Sequence, residues 1–209
     1  MPHTAAPPYQ SAVLVVEDDA ALSGYLASAL RGKGYAVHCA HDRAGALVCM
    51  EQAHAPALVL LDLGLPPHPS TMREGLQALQ DILRAQPGTK VLVLTGQDEA
   101  AAAHEAVRLG AFDFLTKPTA LDTLLQALRR ADLFAREEAR MALSGEARLS
   151  ITARIDEGPK EAGAQVEEQL LRRSFVAAGY NVTEAARQLG LAREHVYYYL
   201  NKYGIRRPD

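Results

Sequence analysis

Five polar residues stand at, or directly after, the ends of short apolar runs in this sequence. Asp62 closes the run ALVLLD, and Glu17 and Asp18 follow AVLVV. Thr95 closes KVLVLT, and Lys117 closes FDFLTK. Carboxylates are hard oxygen ligands of the kind that Mg²⁺ prefers, and a carboxylate beside such an ion can attack phosphorus. A hydroxyl and an ammonium group would stabilise the charge on the phosphoryl oxygens.

These residues can meet only if the apolar runs are neighbouring strands of one sheet. The predicted strands cover 12–17, 35–40, 57–62, 90–95 and 112–117. Segments with apolar residues at helical spacing alternate with them, at 20–34, 43–53, 74–85, 98–109 and 121–135. Strands that are apolar throughout are buried on both faces, which predicts an α/β fold with a doubly wound, five-stranded parallel sheet. Such sheets bind ligands at the carboxyl ends of their strands.

The motifs VVEDD, LLDLGLP, LTG and FLTKP, in this order and at the predicted strand ends, resemble those of response-regulator receiver domains. The resemblance covers residues 11–130 and implies a phosphoacceptor at Asp62, with a histidine kinase as the donor. It implies that Mg²⁺ is bound by Glu17, Asp18, Asp62 and the Gly64 carbonyl. It also implies phosphoryl contacts from Thr95 and Lys117, and a cis peptide bond before Pro118.

Two features depart from the receiver pattern. The stretch LPPHPSTMREG delays Gly75, so the loop after Asp62 is longer than usual and carries three prolines and His68. We expect this loop to alter partner recognition or access to Asp62. The family's switch residues correspond to Thr95 and Phe114, and Phe114 has no hydroxyl with which to donate a hydrogen bond. Asp19 is expected to cap the next helix rather than to bind metal.

The C-terminal stretch resembles a second known module. Residues 131–163 are predicted to be a helical extension and a linker, in which alternation at 149–155 allows a short strand. Helical spacing returns at 164–178, 183–189 and 193–203, with a turn at Gly190 between the last two helices. The shared residues identify 164–209 as similar to the Fis-type helix-turn-helix of Fis and NtrC-type activators. They are Asn181, Ala185, Ala186, Leu189, Gly190, Leu191, Arg193, Leu200, Lys202, Tyr203, Gly204 and Ile205.

The Fis-type resemblance implies DNA contacts from the last helix and its flanks. The candidate residues are Arg187, Arg193, His195, Tyr197, Tyr198, Lys202, Arg206 and Arg207, and Arg172 and Arg173 could add phosphate contacts. Residues 161–209 contain seven Lys or Arg and six Asp or Glu, so one copy would neutralise few phosphates. We therefore expect a homodimer. The tail could instead be a core-packing or dimerising bundle. The central ATPase of NtrC-type activators is absent from this sequence, which has no Gly-rich phosphate loop.

Composition is typical of a globular protein with one good core and a smaller unit. The 209 residues are 48% apolar and 22% charged, with a net charge of −3. The two cysteines have no metal or disulfide spacing. No apolar run approaches the ~18 residues of a membrane span. The Pro-rich residues 1–10 carry no secretory signal and are predicted to be a disordered lead, so we expect a cytoplasmic protein without a membrane partner.

The sequence favours a regulator that accepts phosphate on Asp62 from a histidine kinase and binds DNA to control transcription; it is not expected to be an enzyme. Two alternatives stay open. One is an adaptor whose tail binds protein, which a mobility-shift assay at stated salt would separate from a DNA-binding protein. The other is an Asp-nucleophile phosphohydrolase. Those enzymes usually carry a second Asp two residues on, where this sequence has Gly64.

Overall fold

The computed structural model of the protein describes residues 11–52, 54–96, 100–153 and 155–207, so the predicted disordered lead lies outside the described residues. The strands are β1 Ala12–Val16, β2 Ala36–Ala40, β3 Leu58–Asp62, β4 Lys90–Thr95 and β5 Asp113–Thr116. The helices of the α/β part are α1 Ala20–Arg31, α2 Arg43–Met50, α3 Arg73–Ala85, α4 Ala100–Arg108 and α5 Leu121–Leu143. The tail contains α6 Pro159–Ala177, α7 Val182–Leu189 and α8 Arg193–Lys202.

The five strands form one parallel sheet in the order β2-β1-β3-β4-β5. This confirms the predicted doubly wound fold. β3 and β4 are buried along their whole length, as expected for central strands that helices cover on both faces. The strand order reverses between β1 and β3, and in such sheets the crevice at the reversal point is where ligands bind.

Alternate residues of each strand feed two apolar layers, because side chains point to opposite faces with a period of two. One layer packs under α2, α3 and α4 and contains Leu14, Val16, Val59, Leu61, Val91 and Val93. The other packs under α1 and α5 and contains Val13, Val15, Leu58, Leu60, Leu92 and Leu94. With both faces filled, the strand ends are held in fixed positions relative to one another.

The helix before the linker includes the predicted helical extension, and the helix after the linker is longer than predicted. α5 continues to Leu143, and α6 begins at Pro159 rather than at residue 164. Proline suits the first turn of a helix because its missing N–H has no partner there in any case. The short strand predicted at 149–155 is not formed by the described part of that segment, which contains only a 3₁₀ turn beginning at Ile155.

The three tail helices enclose a separate apolar core. Its buried members are Leu171, Phe175, Ala185, Ala186, Val196, Leu200 and Ile205. Asn181 caps α7 by accepting a hydrogen bond from the Glu184 N–H at 3.1 Å, so α7 starts earlier than predicted. Gly190 has φ 64° and makes the turn between α7 and α8, as predicted.

Gly75 lets α3 approach the backbone after β3. A Cβ atom at this position would lie 2.3 Å from the Leu63 Cα and 2.5 Å from the Leu63 carbonyl oxygen. The longer loop contains a 3₁₀ turn at Pro69–Thr71, and the contact between α3 and the strand end is kept.

We expect Gly75→Ala to lower the free energy of unfolding by at least about 1–3 kcal/mol, because the added methyl group meets rigid backbone. Gly24→Ala is the matched control, since Gly24 lies in the middle of α1 with nothing within 4 Å of a Cβ. The control should be more stable than the wild type by about 0.5–1 kcal/mol. Urea unfolding followed by circular dichroism measures both changes. Equal stability of the two variants would contradict the packing described for Gly75.

Candidate functional site

Three carboxylates meet at the carboxyl edge of the sheet. Glu17 and Asp18 follow β1 and Asp62 ends β3, and one oxygen from each lies within 4.8 Å of the others. They meet because Val16 and Leu61 are partners in the parallel register, which places the residues after them side by side. Glu17 and Asp62 are buried, whereas Asp18 is exposed.

Asp19 caps a helix and is not one of the three clustered carboxylates. Its carboxylate accepts hydrogen bonds from the N–H groups of Ala21, at 2.8 Å, and Leu22, at 3.1 Å. It is therefore the N-cap of α1, as expected, and Asp18 is the member of the pair that faces the cluster.

Lys117 is shared by the two buried carboxylates. Its Nζ lies 2.7 Å from Glu17 Oε2 and 3.0 Å from Asp62 Oδ2. Its backbone N–H donates to the Thr95 carbonyl at 2.6 Å, which ties the end of β5 to the end of β4. The peptide bond between Lys117 and Pro118 is cis. The predicted site residues of three different strands are thus joined around one ammonium group.

The charges of the cluster shift the ionisation of its members. Burial alone would lower the pKa of Lys117, but the hydrogen bonds and negative charges of Glu17 and Asp62 outweigh burial and raise it above its usual value. Burial raises the pKa of Glu17; the hydrogen bond from Lys117 opposes this rise and the charge of Asp62 adds to it. Both pKa values are raised in a cluster where burial is combined with an excess of negative charge.

The donor set fits a magnesium ion. Three carboxylates and one ammonium leave two negative charges, which a divalent cation would balance. Mg²⁺ takes oxygen ligands and usually keeps several waters, so a partly exposed group of acidic side chains suits it better than a closed cage. Glu17, Asp18 and Asp62 would hold the ion. The predicted contribution of the Gly64 carbonyl stays a prediction.

Gly64 lies between the Asp62 carboxylate and the long loop. A Cβ atom at residue 64 would be 3.4 Å from Asp62 Oδ2 and 3.2 Å from the Pro69 carbonyl oxygen. The loop therefore folds back beside the phosphoacceptor candidate, and a glycine keeps the space between them open. His68 is exposed on the outer side of this loop.

The two predicted switch residues have different surroundings. Thr95 is buried at the end of β4, one residue beyond the partner of Asp62 in the register between β3 and β4. Phe114, in β5, exposes 42% of its surface. The structure thus brings Thr95 to the site edge and leaves Phe114 at the surface, where its ring is accessible to solvent.

One supporting residue was missed from the sequence. The ring Nδ1 of His41 lies 2.9 Å from the Glu17 carbonyl oxygen, and the Glu17 N–H donates to the Ala40 carbonyl at 3.0 Å. The end of β2 therefore fixes the backbone of the acidic pair. The signal was present, since His41 directly follows a predicted strand.

In the tail, the outer face of α8 carries four of the predicted DNA contacts. Val196 and Leu200 are buried in the tail core, which fixes which side of the helix faces outward. These contacts are Arg193, His195, Tyr197 and Tyr198, and Glu194, Asn201 and Lys202 are exposed on the same helix. Arg206 and Arg207, just beyond the helix, are exposed as well.

Two other predicted DNA-contact residues, Lys202 and Arg187, form ion pairs with acidic residues of the tail. Lys202 Nζ lies 2.7 Å from Glu167 Oε2 and above the rings of Tyr199 and Tyr203, and the Tyr203 hydroxyl also donates to Glu167. The hydrogen bond that Lys202 donates to Glu167 raises the pKa of Lys202, so Lys202 stays charged.

Arg187 is held in the same manner by Glu184. It makes two hydrogen bonds to this carboxylate, which lower the pKa of Glu184 to about 2. The phosphate contacts suggested for Arg172 and Arg173 do not fit their positions. Arg172 donates to Glu168 and to the Tyr203 carbonyl, and Arg173 points toward the receiver part of the chain.

The response regulator receiver domain model matches residues 13–129, more than half of the sequence. The chain belongs to the response regulators. Nitrogen assimilation regulatory protein NtrX of Azorhizobium caulinodans is 34% identical over 119 residues, which are 57% of this chain and 25% of NtrX. Acid tolerance regulatory protein ActR of Rhizobium meliloti is 34% identical over 116 residues, which are 56% of this chain and 57% of ActR.

Solved structures agree with the receiver fold. A CheY-like receiver domain protein from Methanospirillum hungatei superposes with a TM-score of 0.55 at 26% identity and covers 61% of this chain and 98% of its own. A crystal structure of NtrX from Brucella abortus gives a TM-score of 0.59 at 26% identity, covering 79% of this chain and 35% of NtrX. The match thus covers only part of these relatives: 25% of NtrX from Azorhizobium caulinodans and 57% of ActR. Within the described ranges, no helix is long and apolar enough to cross a membrane.

We expect Asp18→Ala to lower mainly the affinity for Mg²⁺ and Asp19→Ala to lower mainly the stability of the fold. Asp18→Ala should weaken Mg²⁺ binding by about an order of magnitude, equal to about 1.4 kcal/mol, with little change in stability. Asp19→Ala should keep Mg²⁺ affinity and lose about 1 kcal/mol of stability with its cap. Titration calorimetry with MgCl₂ and urea unfolding separate the two. Equal losses of Mg²⁺ affinity would contradict the assignment of Asp18 to the metal.

Proposed function

We propose that Asp62 accepts a phosphoryl group from a histidine kinase and that the chain, so controlled, binds DNA to regulate transcription. The observation that carries the first half is the shared position of Lys117 between Glu17 and Asp62, with Asp18 close by. Asp62 is largely buried yet keeps 13% of its side chain exposed, so that a partner's phosphohistidine can reach it.

The transfer itself is a simple displacement. A bond forms between a carboxylate oxygen of Asp62 and phosphorus, the bond from phosphorus to the kinase imidazole nitrogen breaks, and the imidazole takes up a proton. A bound Mg²⁺ would neutralise charge on the phosphoryl oxygens. Lys117, already 3.0 Å from Asp62 Oδ2, can follow the negative charge onto the phosphoryl group, and the Thr95 hydroxyl can donate to it.

The residue two positions after Asp62 favours a regulator over a phosphohydrolase. Gly64 has no side chain with which to take a proton from an attacking water. An acyl phosphate on Asp62 would therefore last longer than in an enzyme that places a second carboxylate there, and a lasting modification suits a signal.

The tail supports DNA binding through the exposed face of α8. A short helix pair around a tight turn presents its second helix to the major groove. Arg193, Tyr197 and Tyr198 lie on that face, but Arg187 and Lys202 are already paired with Glu184 and Glu167. Few phosphates are then neutralised per tail, so we infer that a homodimer binds an inverted repeat, with its two helices about 34 Å apart. An adaptor whose tail binds protein is the alternative.

We expect Asp62→Asn to abolish Mg²⁺-dependent phosphorylation by acetyl phosphate, because the amide cannot act as the nucleophile. Asp122→Asn is the matched control, since Asp122 is exposed in the first turn of α5. Electrophoresis in a phosphate-binding gel measures the phosphorylated fraction, and circular dichroism verifies the fold of both variants. Undiminished phosphorylation of Asp62→Asn would exclude this phosphoacceptor.

For the tail, we expect Arg193→Ala to weaken binding by roughly 1–3 kcal/mol if Arg193 reads a base edge. The probe is DNA selected from a random-sequence library by the wild-type chain, and fluorescence anisotropy at stated salt gives the affinity. Arg84→Ala, an exposed substitution on α3, should leave the affinity unchanged. If the wild-type chain selects no sequence and binds no DNA at low salt, the adaptor function replaces this one.

A further inference from the structure

One line of side chains on α8 points directly away from the tail core. Val196 and Leu200 are buried in that core, so the opposite side of the helix is its outermost part. Glu194, Tyr198 and Asn201 are exposed and follow one another at spacings of four and three residues, which places them on one side of a helix. With about 3.6 residues per turn, this line lies opposite Val196 and Leu200, and we call it the outer row of α8.

The outer row carries no positive charge. Arg193 and Lys202 lie on the two flanks of the helix, one on either side of the row, and Lys202 is paired with Glu167. When such a helix lies in a major groove, its outermost row faces the base edges and its flanks face the phosphates. The row therefore offers the bases a carboxylate, a phenol and an amide, and no cation.

Glu194 provides the carboxylate of the outer row. Glu167, Glu168 and Glu184 of the tail are each bound to a cation, whereas Glu194 forms no ion pair within the part of the chain that the structure describes. A negative charge in the first turn suits the N-terminus of α8. Beside DNA, however, the phosphates repel a free carboxylate, and only a donor on a base can offset that repulsion.

Only two of the four bases offer such a donor in the major groove. Cytosine presents its N4 amino group there, and adenine presents its N6 amino group. Guanine presents the N7 and O6 acceptors, and thymine presents O4 and a methyl group, so neither can donate to a carboxylate. In helix-turn-helix proteins the first residues of the second helix contact base edges, and Glu194 is the second residue of α8.

We propose that Glu194 is a specificity-determining residue of the tail: it accepts a hydrogen bond from the amino group of a cytosine or an adenine and rejects guanine and thymine at that position. This inference rests on the proposed function, since it names the DNA chemistry that α8 recognises. The charge of Glu194 weakens binding to DNA in general, and an amino base opposite the carboxylate restores it. The tail thus gains discrimination that attraction to phosphates cannot provide.

The test compares full-length chains that carry the same change of charge at different places. Glu194→Gln replaces the carboxylate by an amide of nearly the same shape, which can donate to guanine or thymine as well as accept from an amino base. Glu161→Gln is the matched control, because Glu161 is an exposed acidic residue in the first turn of α6. Circular dichroism verifies the fold of both variants.

Each chain first selects DNA from a random-sequence library. Fluorescence anisotropy at one stated salt concentration then measures binding to the selected site and to versions of it with each of the four bases at a single position. This readout separates a base contact from a charge effect, because loss of a charge changes the affinity for all four versions alike.

We expect the wild type and Glu161→Gln to select cytosine or adenine at one position of each half-site and to bind the guanine version roughly five- to tenfold more weakly. In Glu194→Gln this difference should fall below about twofold at that position and stay unchanged elsewhere. An unchanged base preference in Glu194→Gln overturns the assignment, and so does an affinity that rises equally for all four versions. Absence of DNA binding by the wild type at low salt overturns the proposed function and this inference with it.

Discussion

Two buried carboxylates with one lysine between them are the constraint on which the receiver depends. Glu17 and Asp62 lie at the ends of different strands, and each would cost several kcal/mol to bury as a lone charge. Lys117 compensates both, at 2.7 and 3.0 Å. The parallel register brings the carboxylates together, and the hydrogen bond from the Lys117 backbone to Thr95 brings the ammonium to them. The two apolar layers keep these strand ends from moving apart. One cation for three carboxylates leaves the excess charge that makes the site suitable for a metal ion and a phosphoryl group.

In the tail, unlike the acidic site of the receiver, positive and negative side chains largely neutralise one another. Its acidic residues are close enough to its basic ones to neutralise several of them, and the pairs of Arg187 with Glu184 and of Lys202 with Glu167 leave few cations for phosphates. The exposed residues of α8 are Arg193, Glu194, His195, Tyr197, Tyr198, Asn201 and Lys202, so the helix presents an acidic residue beside its basic ones. In the proposed function, such a surface would depend on shape and on a second copy more than on general attraction to DNA.

The sheet and the acidic site could be predicted because their signals are local. A central strand is almost entirely apolar, and a polar residue at its end must lie at the carboxyl edge of the sheet, so Asp62 and Thr95 could be placed without knowledge of the contacts. Lys117 could be placed because it ends the fifth apolar run. The prediction of the linker boundaries was less accurate. Gly158 and Pro159 looked like loop residues, yet a proline in the first turn begins a helix, and α6 starts there. The contacts of Arg173 with Glu138 and Pro87 could not be foreseen, because no periodicity relates residues so far apart. The same holds for Lys202, whose partner Glu167 lies on another helix.

Mass spectrometry can identify the phosphorylated residue directly. The chain is treated with acetyl phosphate and Mg²⁺, the acyl phosphate is reduced with borohydride to the stable alcohol, and the digested peptides are sequenced by fragmentation. We expect a single modified residue, at Asp62, and none when Mg²⁺ is removed with a chelator. Modification at Asp18 or at another carboxylate, with Asp62 intact, would contradict the role of Asp62 as phosphoacceptor.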